Sequence, residues 1–134
     1  MSDPTPFHRT RQDHSRETAE DYVELIQELI ESKGEARATD LADRLGISKV
    51  AVSKTIQRLA KEGLVDSQPY RSIFLTQEGQ QLAKEAKERH VAVVEFLLAL
   101  GVSSEVAEID AEGIEHHVSD ETLTKMREFV AKKS

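Results

Sequence analysis

The sequence predicts a mainly α-helical protein whose helices are interrupted once by a short β-hairpin. Apolar residues recur at three- and four-residue intervals through most of the 134 residues, which is the period of an amphipathic helix. Glycines follow several of these periodic stretches, where helices commonly end. Only 4% of the residues are aromatic and there is no Trp, so the core must consist of Leu, Val, Ile and Ala.

The first half of the chain begins with a segment of different character. Residues 1–17 contain two of the three prolines and almost no apolar side chains, and we expect them to form a flexible arm. From Glu17 the helical pattern begins, and Gly34 ends it.

Two further helices and a hairpin follow. A helix is predicted over Thr39–Leu45, and another over Lys49–Lys61, where Ser48 is a good N-cap residue. Leu64–Asp66 and Ser72–Thr76 read as short strands on either side of a turn. Helix, tight turn, helix and hairpin in this order predict an N-terminal winged helix-turn-helix.

The remaining residues are predicted to form helices only. A long helix runs from near Gln77 to Leu100, Ser103 or Ser104 caps a helix through His117, and Ser119 caps the last one. These helices are expected to form a C-terminal helical domain.

The turn between the second and third helices is the diagnostic part of the winged helix. Gly46 accommodates the left-handed backbone that a sharp interhelical turn needs. Apolar residues on both sides of the turn are expected to form a small core, namely Leu41, Ala42, Leu45, Ile47, Val52, Ile56 and Leu59.

The distribution of charge points to DNA. The net charge is −7, but residues 37–71 carry seven basic and four acidic side chains, a local charge of +3 that leaves −10 for the rest. Such asymmetry is typical of a nucleic-acid-binding face joined to an acidic part. The first turns of a recognition helix contact base edges, and cationic side chains further along contact phosphates. The predicted DNA-binding residues are Arg37, Ser48, Lys49, Val50, Ala51, Ser53, Lys54, Gln57, Arg58, Tyr70 and Arg71.

A second signal is the segment Asp110–His117, which reads Asp-Ala-Glu-Gly-Ile-Glu-His-His. On a helix of ~3.6 residues per turn, Glu112, Glu115 and His116 share one face, and His117 points away from it. Like charges one turn apart are unfavourable unless a positive group lies beside them. A cation-binding site is therefore expected here.

Other segments offer matching ligands. Asp21 and Glu24 are three residues apart on the first helix, and His90 precedes an apolar run in the long helix. Carboxylates and imidazoles form a hard donor set suited to Mn(II), or to Fe(II), Co(II) and Zn(II). The chain has no Cys, which excludes thiolate ligands, disulfides and cysteine nucleophiles.

The winged helix together with the Glu112–His117 segment resembles the diphtheria-toxin-repressor family, specifically its manganese transport regulator branch. The resemblance covers roughly residues 20–130. Other matching stretches are Glu20–Glu24, Phe74–Thr76, Glu88–His90, Glu95–Leu97, Leu100–Val102 and Asp110–Ser119. Ser72 departs from the pattern, because it stands where a wing glycine is common.

The resemblance implies a manganese-dependent repressor with a binuclear site. The ligands it implies are Asp21, Glu24, His90, Glu112, Glu115 and His116. It implies two Mn(II) ions per subunit, with Fe(II), Co(II), Zn(II) or Cd(II) as substitutes. The iron-responsive branch has Met and Cys where this chain has Asp21 and Glu115, and softer ligands suit Fe(II) better than Mn(II).

The implied organisation is a homodimer on a palindromic double-stranded DNA operator that controls manganese transport genes. Residues 1–17 would form the arm, 18–76 the winged-helix DNA-binding domain, and 77–134 the helical metal-binding and dimerisation domain. The apolar residues between 91 and 100 are expected to join the two chains, together with Ile109, Leu123, Met126 and Phe129.

Three alternatives stay open at this point. An iron- or zinc-responsive regulator would have the same architecture, and affinity order alone places Mn(II) last. A metal-independent winged-helix regulator would leave six matching ligands unexplained. A di-metal enzyme would need a substrate pocket and further catalytic groups, which the sequence does not indicate, so no enzymatic activity is expected.

Targeting signals are not apparent in the sequence. The N-terminal residues have no apolar run typical of a secretory signal. The longest apolar stretch, Val91–Val102, is interrupted by Glu95 and is far shorter than the ~20 residues that span a bilayer. The sequence therefore predicts a cytoplasmic protein that does not enter membranes.

Overall fold

The computed structural model describes residues 5–68 and 71–133, with side chains from residue 15 onward. Helices dominate this part of the chain, as predicted. The elements are α1 (Thr5–Lys33), α2 (Ala38–Leu45), α3 (Lys49–Lys61), β1 (Val65–Asp66), β2 (Phe74–Leu75), α4 (Gln77–Ala99), α5 (Ser104–Ile114) and α6 (Asp120–Lys133). The chain divides into two compact units, a winged unit (Thr18–Lys84) and a helical unit (Met1–Glu17 with Glu85–Ser134).

The winged unit contains the predicted helix-turn-helix. Gly46 adopts φ 69° at the end of α2, and the Ser48 hydroxyl accepts a hydrogen bond from the Ala51 amide at the start of α3. The buried side chains that lock α2 against α3 include Leu41, Ala42, Val52, Ile56 and Leu59. The prediction for Ile47 was wrong, because its side chain is 41% exposed beside the turn.

The wing is an antiparallel pair of short strands. Val65 pairs with Leu75, and both side chains are buried. The Ile73 amide donates to the Ala36 carbonyl at 2.7 Å, which ties the second half of the hairpin to the loop between α1 and α2. The wing is therefore held by the body of its own unit as well as by its strand pairing.

The helical unit has a separate core. It is formed by small and branched side chains of α4, α5, α6 and the turn after α5, namely Ala92, Val93, Val94, Leu97, Ala107, Ala111, Val118 and Leu123. Phe96 and Phe129 pack edge to face at its margin, with ring centroids 5.5 Å apart. Leu123 is therefore part of the core of its own chain and not of the predicted dimer surface.

Two predicted helix boundaries were wrong. α1 begins at Thr5 rather than near Glu17. Pro6 is tolerated in the first turn of a helix, and several of the polar residues that follow it are good helix formers. These residues have no apolar stripe, so the apolar periodicity did not reveal the helix. Residues 5–17 are thus helical, whereas residues 1–4 of the predicted arm lie outside the described part. α5 ends at Ile114 rather than His117, and the residues after it form a turn.

The compact winged unit includes the first residues of α4 as far as Lys84, since Ala83 belongs to its core. Within the described ranges, no helix is both long and apolar enough to cross a membrane.

Candidate metal centre and nucleic-acid interface

The imidazole of His90 on α4 lies against two carboxylates, one from α5 and one from the residue that follows it. Its Nδ1 is 2.6 Å from Oε2 of Glu115 and 3.8 Å from Oε1 of Glu112. The Glu115 side chain is 1% exposed, whereas Glu112 lies at the open edge of the cluster. One atom from each of the three side chains lies within 4.8 Å of the others, a spacing that suits a metal ion.

Glu115 also faces a second imidazole. Its Oε1 is 3.4 Å from Nε2 of His116, which is 1% exposed. The two oxygens of a single buried carboxylate are therefore directed to two different imidazoles. A buried carboxylate is costly without positive charge or hydrogen-bond donors nearby, so this donor set fits divalent cations.

The structure brings four of the six predicted ligands together within the helical unit: His90, Glu112, Glu115 and His116. The other two, Asp21 and Glu24, lie three residues apart on α1 in the winged unit, and both are half-buried. His117, which was not predicted as a ligand, has its Nε2 3.3 Å from Oε2 of Glu17.

Two acidic residues near these ligands were not predicted. Glu17 has a carboxylate oxygen within 4.8 Å of a His116 ring nitrogen. Glu108 has Oε2 at 2.8 Å from Nε2 of His90. Glu108, Glu112 and Glu115 stand at i, i+4 and i+7 in α5 and its C-cap. This spacing could have indicated Glu108, because such positions share one helix face.

The acidic surroundings favour the charged form of His90. Partial burial by itself lowers the pKa of the imidazole, but the hydrogen bond with Glu108 and then the charge of Glu115 raise it, and the net pKa lies above the ordinary value. The protonated ring supplies positive charge to the same carboxylates that would hold a metal ion.

Two arginines fix the backbone that carries Glu115 and His116. Arg89 donates from Nε to the Glu115 carbonyl at 3.0 Å and from its terminal nitrogens to the Val118 carbonyl and the Asp120 carboxylate. Arg16 donates to the His116 carbonyl at 3.0 Å. The hydrogen bonds from Arg89 replace helical ones after Ile114, which explains why α5 ends there.

Replacement of Arg89 by Ala is expected to destabilise the helical unit by about 1–3 kcal/mol and to lower Mn(II) affinity about 10- to 100-fold. Buried carbonyls would lose a charged donor, and the ligand-bearing turn would lose its support. Urea unfolding in chelator and Mn(II) titration calorimetry measure the two effects. Asp120→Ala is the control. Its carboxylate is 98% exposed, so the replacement removes a surface ion pair of Arg89 and leaves the hydrogen bonds from Arg89 to the backbone carbonyls in place. Wild-type Mn(II) affinity in Arg89→Ala would contradict the role of the arginine.

In the winged unit, a groove of about 520 Å³ lies between α3 and the wing. Five predicted DNA-binding residues line it: Arg37, Lys49, Ser53, Gln57 and Arg71. Gln68 and Thr39 also line it and were not predicted. The groove therefore gathers cationic and hydrogen-bonding groups from three segments of this unit.

The other residues predicted to contact DNA differ in how exposed they are to solvent. Val50 is 66% exposed, and Lys54 and Ser48 are also exposed, whereas Ala51 is half-buried. Arg58 is half-buried, and its Nε is 3.6 Å from Oε1 of Glu62. Tyr70 lies outside the described residues.

The base of the wing carries a small charged network. Arg37 donates to Oε1 of Glu35 at 3.0 Å, and the Ser72 hydroxyl donates to Oε2 at 2.9 Å. These two bonds, the first more than the second, hold the pKa of Glu35 below its ordinary value. Ser72, the residue that departs from the family pattern, thus anchors the wing to the loop after α1.

Ser72→Ala is expected to raise the pKa of Glu35 towards its ordinary value, and Arg37→Ala is expected to raise it further. A lowered pKa in the folded state stabilises the protein above the unfolded-state pKa, and this contribution is lost as the pH falls through the folded-state pKa. Carboxyl ¹³C NMR titration measures the shift. An unchanged Glu35 pKa in Ser72→Ala would show that the hydroxyl does not hold the carboxylate.

Both halves of the chain match known families. Residues 14–73 match the N-terminal DNA-binding domain of iron-dependent repressors, and residues 76–133 match their metal-binding and dimerisation domain. The chain belongs to the iron-dependent repressor family. This is the diphtheria-toxin-repressor family that the sequence motifs indicated, and its members are metal-dependent DNA-binding regulators.

Individual relatives agree with this assignment to the iron-dependent repressors. The chain is 54% identical over 126 residues to the transcriptional regulator MntR of Escherichia coli O6:H1, covering 94% of this chain and 81% of that protein. It is 40% identical to an HTH-type transcriptional regulator MntR of Listeria welshimeri, covering 83% and 78%. The fold resembles a manganese-dependent transcriptional repressor in complex with manganese, with TM-score 0.76 and 31% identity over 84% of this chain. The present chain spans about half the length of that structure.

Proposed function

We propose that the protein is a manganese-responsive transcriptional repressor that controls manganese homeostasis genes. The observation that carries the proposal is a buried carboxylate, Glu115, between the imidazoles of His90 and His116, with Glu112 beside it. All of these donors are hard or borderline, and the chain offers no thiolate. The names of the relatives from Escherichia coli and Listeria, and of the manganese-bound structure, support Mn(II) as the metal.

The proposed ligands are the six residues named from the sequence. His90, Glu112, Glu115 and His116 come from the helical unit, and their proximity supports their assignment. Asp21 and Glu24 come from α1, and for them the family resemblance and their helical spacing are the support. Two ions per subunit are proposed because both oxygens of Glu115 face an imidazole. Fe(II), Co(II), Zn(II) or Cd(II) are proposed as substitutes.

The chemistry that such ions supply when bound is positive charge next to carboxylates that otherwise repel one another. To hold such an ion, His90 would have to be neutral, and it would then no longer balance the charge of Glu112 and Glu115. The backbone of Glu115 is fixed by a hydrogen bond from Arg89 to its carbonyl oxygen. This contact supports the position of Glu115 before a metal ion binds.

For DNA binding, we propose that α3 enters the major groove and the wing contacts the backbone. The exposed Val50 and Lys54 and the groove between α3 and the wing supply apolar, cationic and hydrogen-bonding contacts. A palindromic operator is proposed because a symmetric dimer presents two such helices. Since the proposed target is DNA, we also propose a cytoplasmic location.

The proposed dimer surface is the apolar part of the helical unit that its own core does not cover. Ile109 is 71% exposed, Leu100 is 54% exposed, and Val106 is 46% exposed. We propose that these side chains form a contiguous apolar patch, since such patches mark association surfaces. Metal binding and DNA binding would be linked reciprocally, so that DNA raises metal affinity as much as metal raises DNA affinity.

The test is an operator-binding titration at fixed ionic strength. A duplex selected from a random library by the Mn(II)-loaded protein serves as the probe, and binding is measured by fluorescence anisotropy with Mn(II), Fe(II), Zn(II) or chelator. Tight binding with Mn(II) and weak binding in chelator are expected. Equal affinity under all conditions would contradict a metal-dependent regulator, and preferential activation by Fe(II) or Zn(II) would favour the alternative of an iron- or zinc-responsive one.

A further inference from the structure

The loop between α1 and α2 carries an acidic residue next to the groove that is proposed to bind DNA. Glu35 and Arg37 flank Ala36, whose side chain is buried in the core of the winged unit. The two charged side chains meet outside this core, where Nε of Arg37 donates to Oε1 of Glu35 at 3.0 Å. Arg37 also lines the groove between α3 and the wing, so the acidic residue acts on a cation of the proposed DNA interface.

The wing fixes both the backbone of this loop and the carboxylate of Glu35. The Ala36 carbonyl accepts a hydrogen bond from the Ile73 amide at 2.7 Å. The Ser72 hydroxyl donates to Oε2 of Glu35 at 2.9 Å. One carboxylate oxygen is thus bound by the wing, and the other is left to hold the side chain of Arg37.

The bond to Glu35 uses one nitrogen of a group that has several donors. A guanidinium carries five N–H groups, and its terminal nitrogens can bind two oxygens of a phosphate at once. Asp40, a second carboxylate near Arg37, is bound by the Arg37 backbone amide at 3.2 Å and by Nζ of Lys33 at 3.1 Å. Among the residues that the structure describes, Glu35 is therefore the carboxylate that holds the guanidinium, and it does so through Nε.

We propose that Glu35 is a positioning residue that holds Arg37 at the groove with the terminal nitrogens of its guanidinium presented to a DNA phosphate. This inference rests on the proposed DNA interface. A long side chain that is already held in place loses less conformational freedom when it binds. The acidic residue therefore strengthens DNA binding through Arg37, although its own charge repels the phosphates.

The charges around the groove make the two effects of Glu35 separable. Arg37, Lys49 and Arg71 line the groove, and its lining within the described part of the chain includes no acidic residue. If Glu35 acted only through its charge, its removal would tighten DNA binding, because like charges repel. If it positions Arg37, its removal weakens DNA binding. The sign of the change thus decides between the two.

The experiment measures DNA binding in Mn(II) by fluorescence anisotropy over a range of salt concentrations. The variants are Glu35→Ala, Glu35→Gln, Arg37→Ala and the double variant Glu35→Ala/Arg37→Ala. Asp66→Asn is the matched control, because it removes the same charge from an exposed position of the wing. The probes are the duplex selected from a random library and a duplex of unrelated sequence. ¹H–¹⁵N NMR of the Arg37 Nε–H group in the metal-free protein reports the contact with Glu35 directly.

Glu35→Ala is expected to weaken binding to both duplexes about 2- to 10-fold per chain, which corresponds to the cost of ordering one long side chain. Asp66→Asn should leave the affinity unchanged or raise it. Arg37→Ala should reduce the slope of log affinity against log salt concentration by about 1 per chain. The double variant should bind no more weakly than Arg37→Ala, because Glu35 acts through the arginine. Glu35→Gln should keep part of the affinity, since its amide oxygen can still accept the Nε–H bond.

Unchanged or tighter DNA binding by Glu35→Ala would overturn the proposal, because Glu35 would then have no effect or only repel phosphates. Weaker binding by the double variant than by Arg37→Ala would also overturn it, since Glu35 would then act independently of Arg37. If the wild type binds neither duplex, the proposed DNA-binding function fails. The NMR measurement still tests the placement of Arg37 in that case, and an Nε–H resonance that is the same in Glu35→Ala and the wild type would contradict it.

Discussion

Replacement of Glu115 by Gln is expected to remove the metal response of DNA binding and to leave the fold intact. The two oxygens of Glu115 face His90 and His116, so its neutralisation weakens the binding of metal at both imidazoles. Mn(II) affinity should fall by at least about 100-fold, more than for a residue that only supports a ligand. Calorimetric Mn(II) titration and operator binding with and without Mn(II) measure the effect.

The fold should survive because Gln has nearly the same shape as Glu and a neutral amide is less costly to bury than a carboxylate. The far-UV circular dichroism spectrum and the unfolding midpoint in chelator check this expectation. Glu121→Gln on α6 is the matched control, since it removes the same charge from an exposed position of the helical unit. Mn(II) binding by Glu115→Gln with wild-type affinity would exclude Glu115 as a ligand.

Replacement of Gly79 by Ala is expected to have the largest effect on stability. A Cβ at this position of α4 would lie 2.0 Å from the Leu64 carbonyl oxygen and 3.3 Å from the Leu75 side chain. The Leu64 oxygen accepts a hydrogen bond from the Thr76 amide, so it cannot move without breaking the base of the wing. Overpacking of this kind costs about 1–3 kcal/mol, and contact with backbone places it at the upper end.

Urea denaturation measures the loss of stability, and operator binding measures the effect on the wing. Gly113→Ala on α5 is the control, because no atom lies within 4 Å of its added Cβ and its backbone is helical. That change should raise the free energy of unfolding in chelator by about 0.5–1 kcal/mol. Equal stability of Gly79→Ala and the wild type would show that α4 and the wing do not pack as closely as described.

The local features of the winged unit could be predicted well from sequence. The bounds of α3, its Ser48 cap and the left-handed Gly46 all agree with the prediction. Each depends on residues adjacent in the chain, where backbone preference and capping dominate. Ile47 was assigned wrongly, because a residue inside a turn has no periodicity that distinguishes the core from the surface.

The start of α1 could not be predicted from the sequence for a similar reason. Residues 5–17 form a helix without a recognisable apolar stripe, so hydrophobic periodicity could not reveal it. The end of α5 could not be predicted from the sequence for a different reason. It depends on hydrogen bonds from Arg89, twenty-six residues earlier in the chain, and no local signal indicates them.

The sequence alone determined the chemical types in the metal site and the helix faces that carry them. Helical spacing placed Glu112, Glu115 and His116 on one face, and His90 was named as a matching ligand from another segment. Only the tertiary structure decided that Glu115 lies between the two imidazoles and that Glu108 holds the far side of the His90 ring. The physical reason is that periodicity defines neighbours along one helix, whereas distances between α4, α5 and the turn after it depend on how their cores pack.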